Sequence, residues 1–440
     1  MKAGSNVYRW GGLTYDYIVV GAGITGLATA YYIKVMSPDS SIIVIDRENS
    51  PGAGDTSKSA AAFRAAFTNR TNLMLAKGGI AFYEGVQKGG FDLGMRKVGY
   101  LFAVDEQTES VVRQGVKAAE AEGVHVREVS PELLEKALRM RTSVKDVEES
   151  KLVGVGDIVN SYLFEDAGIM DAEKLVDYYY LKLKSMGTEF IFGVSVKEFV
   201  VSATNPLGIE GEPFPWEDAK VSGVRLGDGR YIEARRKVVA AMGVWANDLL
   251  NRIGVDTYSR PKKRQLFAVK ADGQELKSIL YAEGFSAEKV MPFLILPKGA
   301  YVRPNPSEGT FWIGLADELG RPFLREEDPK AEERYYTYGI LPVLGTYMPQ
   351  LGLKYPEASW AGHYDISFDG MPIVYEPYRS GLVVVAGTSG SGIMKGDSIG
   401  RVAAGLALDK EEVELGDGSV IRTSVLGLEG RGSERELLIL

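Results

Sequence analysis

A chain of 440 residues is long enough to bury two or three hydrophobic cores. Its 45% hydrophobic and 25% charged residues are ordinary for a globular enzyme, and a net charge of −8 argues against a nucleic-acid partner, whose phosphates demand a basic face. The absence of cysteine excludes disulfides, iron–sulfur clusters and thiol nucleophiles, and with only two histidines, His125 and His363, a metal site is not expected.

In chain order, residues 1–14 are polar and Gly-rich, without the apolar core of a signal peptide. No later run approaches the roughly 18 apolar residues of a membrane span, so the expectation is a cytoplasmic protein, at most peripheral to a membrane or part of an oligomer. Residues 15–20 and 42–46 read as strands and 27–36 as the helix between them, a β-α-β unit with parallel strands. Helices are predicted over 109–122 and 131–140, and again over 171–186 behind an Asp cap. Strands follow at 189–194 and 196–201, and after an irregular Pro-containing stretch a hairpin pairs 221–226 with 231–234 across Gly227-Asp228-Gly229-Arg230. A separate buried strand is predicted at 237–242. Residues 265–270, 293–296, 300–303 and 310–314 suggest an antiparallel sheet. Near the end come an apolar strand at 382–386, a Gly-rich loop and a helix over 398–408.

The turn Gly21-Ala22-Gly23-Ile24-Thr25-Gly26 carries the most specific chemistry. Gly21 permits the tight turn, Gly23 lets a pyrophosphate approach the backbone, and Gly26 lets helix and strand pack closely. With Ile24 and Thr25 it offers unpaired N–H groups and a partial positive charge at the helix N-terminus. Asp46, twenty residues beyond Gly26 and followed by Arg47, is placed to accept hydrogen bonds from ribose hydroxyls. The loop at 52–64 is dense in Gly, Ser and Ala; its Thr56, Ser57, Ser59, Ala60 and Ala61 can run beneath an extended dinucleotide.

These residues resemble the D-amino-acid-oxidase-like superfamily of FAD-dependent oxidoreductases, which includes sarcosine and glycine oxidases, dye-linked proline dehydrogenase and 2-hydroxy-acid dehydrogenases. The likeness is carried by the β-α-β unit, the 52–64 loop, Val238-Val239-Ala240-Ala241-Met242-Gly243-Val244-Trp245-Ala246, Trp360-Ala361-Gly362-His363-Tyr364-Asp365 with Phe368-Asp369-Gly370-Met371-Pro372, and the loop 387–396. It implies an α/β fold: a Rossmann-type FAD-binding domain (15–95, 166–262, 345–415) with an inserted α+β substrate domain built on an antiparallel sheet (96–165, 263–344), and a tail over 416–440. It also implies that Val196, Gly243, Trp245, Asp369, Gly370, Gly390, Ser391, Gly392, Ile393 and Lys395 lie along the cofactor. The missing cysteine, and the lack of histidine in the first loop, point to FAD held without a covalent bond.

Two residue sets suggest substrate chemistry. Tyr301 and Arg303 alternate onto one face of a strand, where the arginine could clamp a substrate carboxylate. His363 could take the hydroxyl proton as hydride leaves for flavin N5, with Tyr364 beside it, and Lys395 or the helix N-terminus could stabilise the reduced flavin. Those roles favour a dehydrogenase of a small 2-hydroxy acid such as L-lactate, passing electrons to a dye- or quinone-type acceptor. Oxidation of an amino acid of proline, sarcosine or glycine type is the alternative, and a non-catalytic flavoprotein subunit is the reading from another class.

Overall fold

The computed structural model describes residues 13–317, 321–431 and 435–438. Two eight-stranded sheets organise them. In the first, the strand Leu13–Val20 lies between Tyr231–Ala240 and Ile42–Ile45, all parallel. Leu382–Ala386 and Glu189–Ile191 extend it in parallel on either side, and Ile373–Tyr375 caps one edge antiparallel. Ile42–Ile45 and Leu382–Ala386 are buried along their whole length, as expected of parallel strands covered on both faces.

Helices Ile24–Met36 and Gly392–Ala407 cover one face of this sheet. Their contact requires glycine: a Cβ at Gly400 would stand 2.5 Å from Ala28 Cβ, and one at Gly396 would stand 2.6 Å from Ile24 Cγ1. The last helix thus begins six residues earlier than its predicted start at 398, because the Gly-rich stretch ahead of 398 is a helix-packing face and not a loop. The consequence is that Lys395 lies inside the helix.

Two further differences have local causes. The hairpin strand predicted at 231–234 and the buried strand at 237–242 are one strand, Tyr231–Ala240. A register shift opposite Tyr15 and Tyr17 accommodates Arg235 and Arg236 within it, and Arg235 Nε reaches Asp16 Oδ1 at 2.9 Å. The long helix Arg70–Lys88 was not predicted; it is capped by Asn69, whose side chain accepts from the Asn72 N–H, and its apolar positions are interrupted by Gly78 and Gly79, which fit against neighbouring backbone and side chains.

The second sheet runs in the order Ala358–Ser367, Ser259–Lys270, Thr310–Leu315, Ala300–Asn305, Phe293–Ile295, Tyr100–Val104, Asn160–Phe164, Val126–Glu128. It is antiparallel except where Phe293–Ile295 pairs parallel with Tyr100–Val104. Phe267, Leu294, Val302 and Ile313 bury one face under helices such as Pro131–Leu138 and Leu341–Tyr347. Tyr100, Leu266, Phe293 and Tyr301 turn the other face toward the first unit. Residues 345–367, expected in the cofactor unit, pack with this second sheet instead. The tail is structured where described: Glu412–Glu414 pairs with Val420–Arg422, and 435–438 fold back between the units. Among the described residues no helix is long and apolar enough to cross a membrane.

Candidate active site

The glycine turn leads from the first strand into the first helix, and its three glycines meet different demands. Gly21 has φ +107, and a Cβ there would be 2.2 Å from the Ala241 carbonyl oxygen; one at Gly26 would be 2.0 Å from the Gly21 oxygen. Both are packing requirements. At Gly23, by contrast, the nearest atom to a Cβ is Thr56 Oγ1 at 3.2 Å, so this backbone faces open space. Ile24 N–H donates to the same Thr56 oxygen at 3.2 Å. Asp46 accepts from the N–H groups of Ala22 at 2.6 Å and Glu48 at 2.8 Å, while burial pushes its carboxyl above the ordinary value.

A long cleft starts at this turn and passes between the two units. Gly21, Gly23, Ile24, Thr25, Asp46, Arg47, Thr56, Ser59, Ala60, Val196, Gly243, Trp245, Gly390, Gly392 and Ile393 all line it. A smaller chamber adjoins its far end, sharing Ser59, Ala60, Tyr301, Tyr364, Gly390 and Ile393 with the cleft. Ala61, Gly370 and Ser391 line this chamber rather than the cleft. Besides Lys395, three expected cofactor residues lie outside both cavities. Gly26 serves packing, Ser57 Oγ donates to the Gly54 carbonyl on the surface, and Asp369 is buried in an ion pair with Arg431 at 3.1 Å.

The substrate candidates separate. Tyr301 and Tyr364 both line cleft and chamber. Each owes its position to a glycine: the Tyr301 hydroxyl lies where a Gly314 side chain would begin, and the Tyr364 ring does the same over Gly390. Burial raises the pKa of both phenols, so they remain protonated donors. Arg303 does share a face with Tyr301, but it lies two residues further along the strand, beneath the first unit. Its guanidinium stacks 4.2 Å from the Trp312 ring centroid and donates to Met170 and Pro304 carbonyls, outside both cavities. Burial pulls its pKa down to about 10. Lys395, fully buried, donates to Asn72 Oδ1 at 2.8 Å and sits 3.9 Å from the ring centroid of Phe67, behind the chamber wall and lining neither cavity. Burial drives its pKa well below the usual lysine value.

His363 lines the cleft, yet its side chain is 0% exposed and its lone pair is engaged. Nε2 accepts from the Glu326 N–H at 3.1 Å. A neutral imidazole has a single accepting nitrogen, so Nδ1 carries the proton and faces Asp55 Oδ1 at 3.6 Å. This arrangement leaves no basic nitrogen for a substrate hydroxyl. His125 is exposed and bonds Asp166 at the surface.

Two cations of the site were not foreseen as such. Arg264 lines the cleft between Tyr301 and Tyr364, 5.1 Å from the Tyr364 ring centroid, and its guanidinium pairs with Asp317 at 3.1 Å. Arg64 lines the chamber, is 4% exposed, and donates to the Ala66 and Leu438 carbonyls. Strand alternation from Leu266 would have flagged Arg264; nothing local marks Arg64, because Tyr100, Phe293 and Leu438 reach it from distant parts of the chain. Among the described residues, no cluster of histidine or carboxylate side chains is placed to hold a metal ion.

Residues 16–406 match the family model described as FAD dependent oxidoreductase. The chain belongs to this family. It is an FAD-dependent oxidoreductase of the D-amino-acid-oxidase type. It is 24% identical over 415 residues to FAD-dependent oxidoreductase domain-containing protein 1 of Bos taurus, covering 90% of this chain and 81% of that protein. Its fold is similar to L-proline dehydrogenase from P. horikoshii (TM-score 0.70, 18% identity, 90% and 94% of the two chains). It is also similar to glycine oxidase from Geobacillus kaustophilus (TM-score 0.69, 20% identity, 91% and 96%). The cleft suits FAD on its own residues: open backbone at Gly23 beside a helix N-terminus for the pyrophosphate, and a carboxylate at Asp46 for ribose hydroxyls.

Proposed function

We propose that this FAD-dependent oxidoreductase oxidises a small primary or secondary amino acid at the carbon bearing its nitrogen. The observation that carries the reading is Arg64. It is a buried guanidinium on the wall of an aromatic chamber, and among the described residues no carboxylate forms an ion pair with it. A buried cation without an anion is costly, and a substrate carboxylate would supply the partner. Tyr100, Phe293, Tyr301 and Tyr364 enclose the space beside it and exclude water from the substrate carbon.

Bound FAD would accept the two electrons and the hydrogen of the substrate C–H bond as hydride. The chain's part is to bind, orient and desolvate. Among the described residues Glu436 is the one carboxylate lining the chamber; it accepts from Thr68, Asn69, Asn72 and Leu438, which hold its pKa low against the effect of burial. With that group engaged and the His363 lone pair used, no general base faces the chamber among the described residues. An amine, once neutral, loses hydride without one, whereas a hydroxy acid must give up its hydroxyl proton at the same time. This moves the preference from L-lactate to an amino acid, in line with the proline dehydrogenase and glycine oxidase among the similar structures. The electrons then pass to a dye- or quinone-type acceptor, as the name dehydrogenase in the first of these suggests.

Steady-state turnover with a redox dye and with oxygen tests the reading on proline, glycine, sarcosine and L-lactate. Amino-acid turnover with a KM raised by Arg64→Met is the expected result. Turnover of L-lactate alone would refute it.

A further inference from the structure

Residues 321–332 bring Arg325 and Glu327 to the wall of the cleft and are tied down on both sides. Arg325 pairs with Asp248, and Glu327 with Arg47 at 2.7 Å, both across to the first unit. Both arginines also lie against the Trp245 ring, Arg47 at 3.6 Å and Arg325 at 4.4 Å from its centroid. Between the two cross-unit pairs, the Glu326 N–H donates to His363 Nε2, while the His363 backbone N–H donates to Asp55 Oδ1 of the first loop at 2.8 Å. At the far end Lys263 bridges Glu326 at 2.9 Å and Glu332 at 2.6 Å, and the Glu332 N–H donates to Gln265 Oε1 at 2.6 Å. Arg325, Glu327 and His363 all line the cleft.

We propose that residues 321–332 form a strap that retains FAD, and that His363 is the positioning residue that pins it. The inference rests on the family's cofactor and not on the choice of substrate. The two cross-unit ion pairs are open to solvent, with Glu327 71% and Asp248 54% exposed, and such pairs hold weakly. The His363 side chain is fully buried and its bond to the Glu326 N–H is part-buried, so losing that acceptor is destabilising. Gly23 and Asp46 line the cleft at the glycine turn, and Arg325 and Glu327 of the strap line it from the other unit. FAD can leave only after the strap lifts, so each tie lost speeds release.

The experiment follows the rise of flavin fluorescence as FAD leaves the diluted holoenzyme. His363→Ala is expected to speed release about tenfold, the equivalent of one buried hydrogen bond. His363→Gln, whose Oε1 sits where Nε2 does and can accept the same N–H, is expected to stay within about twofold of the native rate by the same reasoning. Glu327→Gln, at an exposed side chain that does not threaten folding, is expected to speed release to a smaller extent. Equal acceleration in the two His363 variants overturns the lone-pair pin. Native release rates in all three variants overturn the strap.

Discussion

The Tyr364 ring lies directly over Gly390, so close that a Cβ on the glycine would stand 2.2 Å from Cε2 of the ring. Gly390 also has φ +78, and it lines both the cleft and the chamber. Gly390→Ala must therefore displace an aromatic wall of the site and strain the backbone, at a cost of about 1–3 kcal/mol from overpacking alone. We expect a lower melting temperature, weaker FAD binding and slower turnover; unchanged flavin content would contradict the placement of this loop.

Arg64 and Arg303 are both buried arginines, and their substitutions should have different effects. Arg64→Met removes the cation that faces the chamber, and a KM increase of at least about tenfold is expected, the loss of one charge-assisted contact. Arg303→Met, outside both cavities, should alter thermal stability and leave KM within about twofold, less than a single hydrogen bond is worth. Kinetics of the two variants on one amino acid check both statements.

Lys395 offers a pH test of stability. Its folded-state pKa lies well below the usual 10.5 because burial disfavours the charged form. The unfolded chain therefore binds more protons between the two values, and stability rises with pH across that window. Lys395→Met should remove this slope, which is at most about 1.4 kcal/mol per pH unit inside the window. Urea unfolding of both forms at several pH values measures it. Because Lys395 is not at the flavin cleft, the rate of flavin reduction should change little.

Asp397 accepts from Tyr32 and from Tyr179 at 2.9 Å, and pairs with Arg401 at 2.8 Å, all between the first and last helices of the cofactor unit and their neighbours. Arg401→Met leaves a buried carboxylate without its counter-charge, and a loss of about 3–5 kcal/mol is expected in chemical denaturation.

The cofactor half of this fold was legible because its signals are local. The strand, turn, helix and Asp46 follow one another within a few dozen residues, and each glycine of the turn has one physical task. The chamber was not, because Arg64, Tyr100, Phe293 and Leu438 meet only through long-range packing. Lys395 was misplaced since Gly392, Gly396 and Gly400 suit a loop as well as a helix that packs closely; only the contacts with Ile24 and Ala28 decide between them. Arg303 shows the limit of strand alternation, which gives the face and not the depth along it. His363 was found by its motif, and its role changed because the donor that takes its lone pair, Glu326, comes from a segment with no pattern of its own.

The central claim is that the chamber takes an amino acid, and anaerobic titration of the holoenzyme tests it most directly. Loss of the oxidised flavin absorbance on adding proline, glycine or sarcosine, with none on adding L-lactate, is the predicted result. Bleaching by L-lactate and by no amino acid would contradict it.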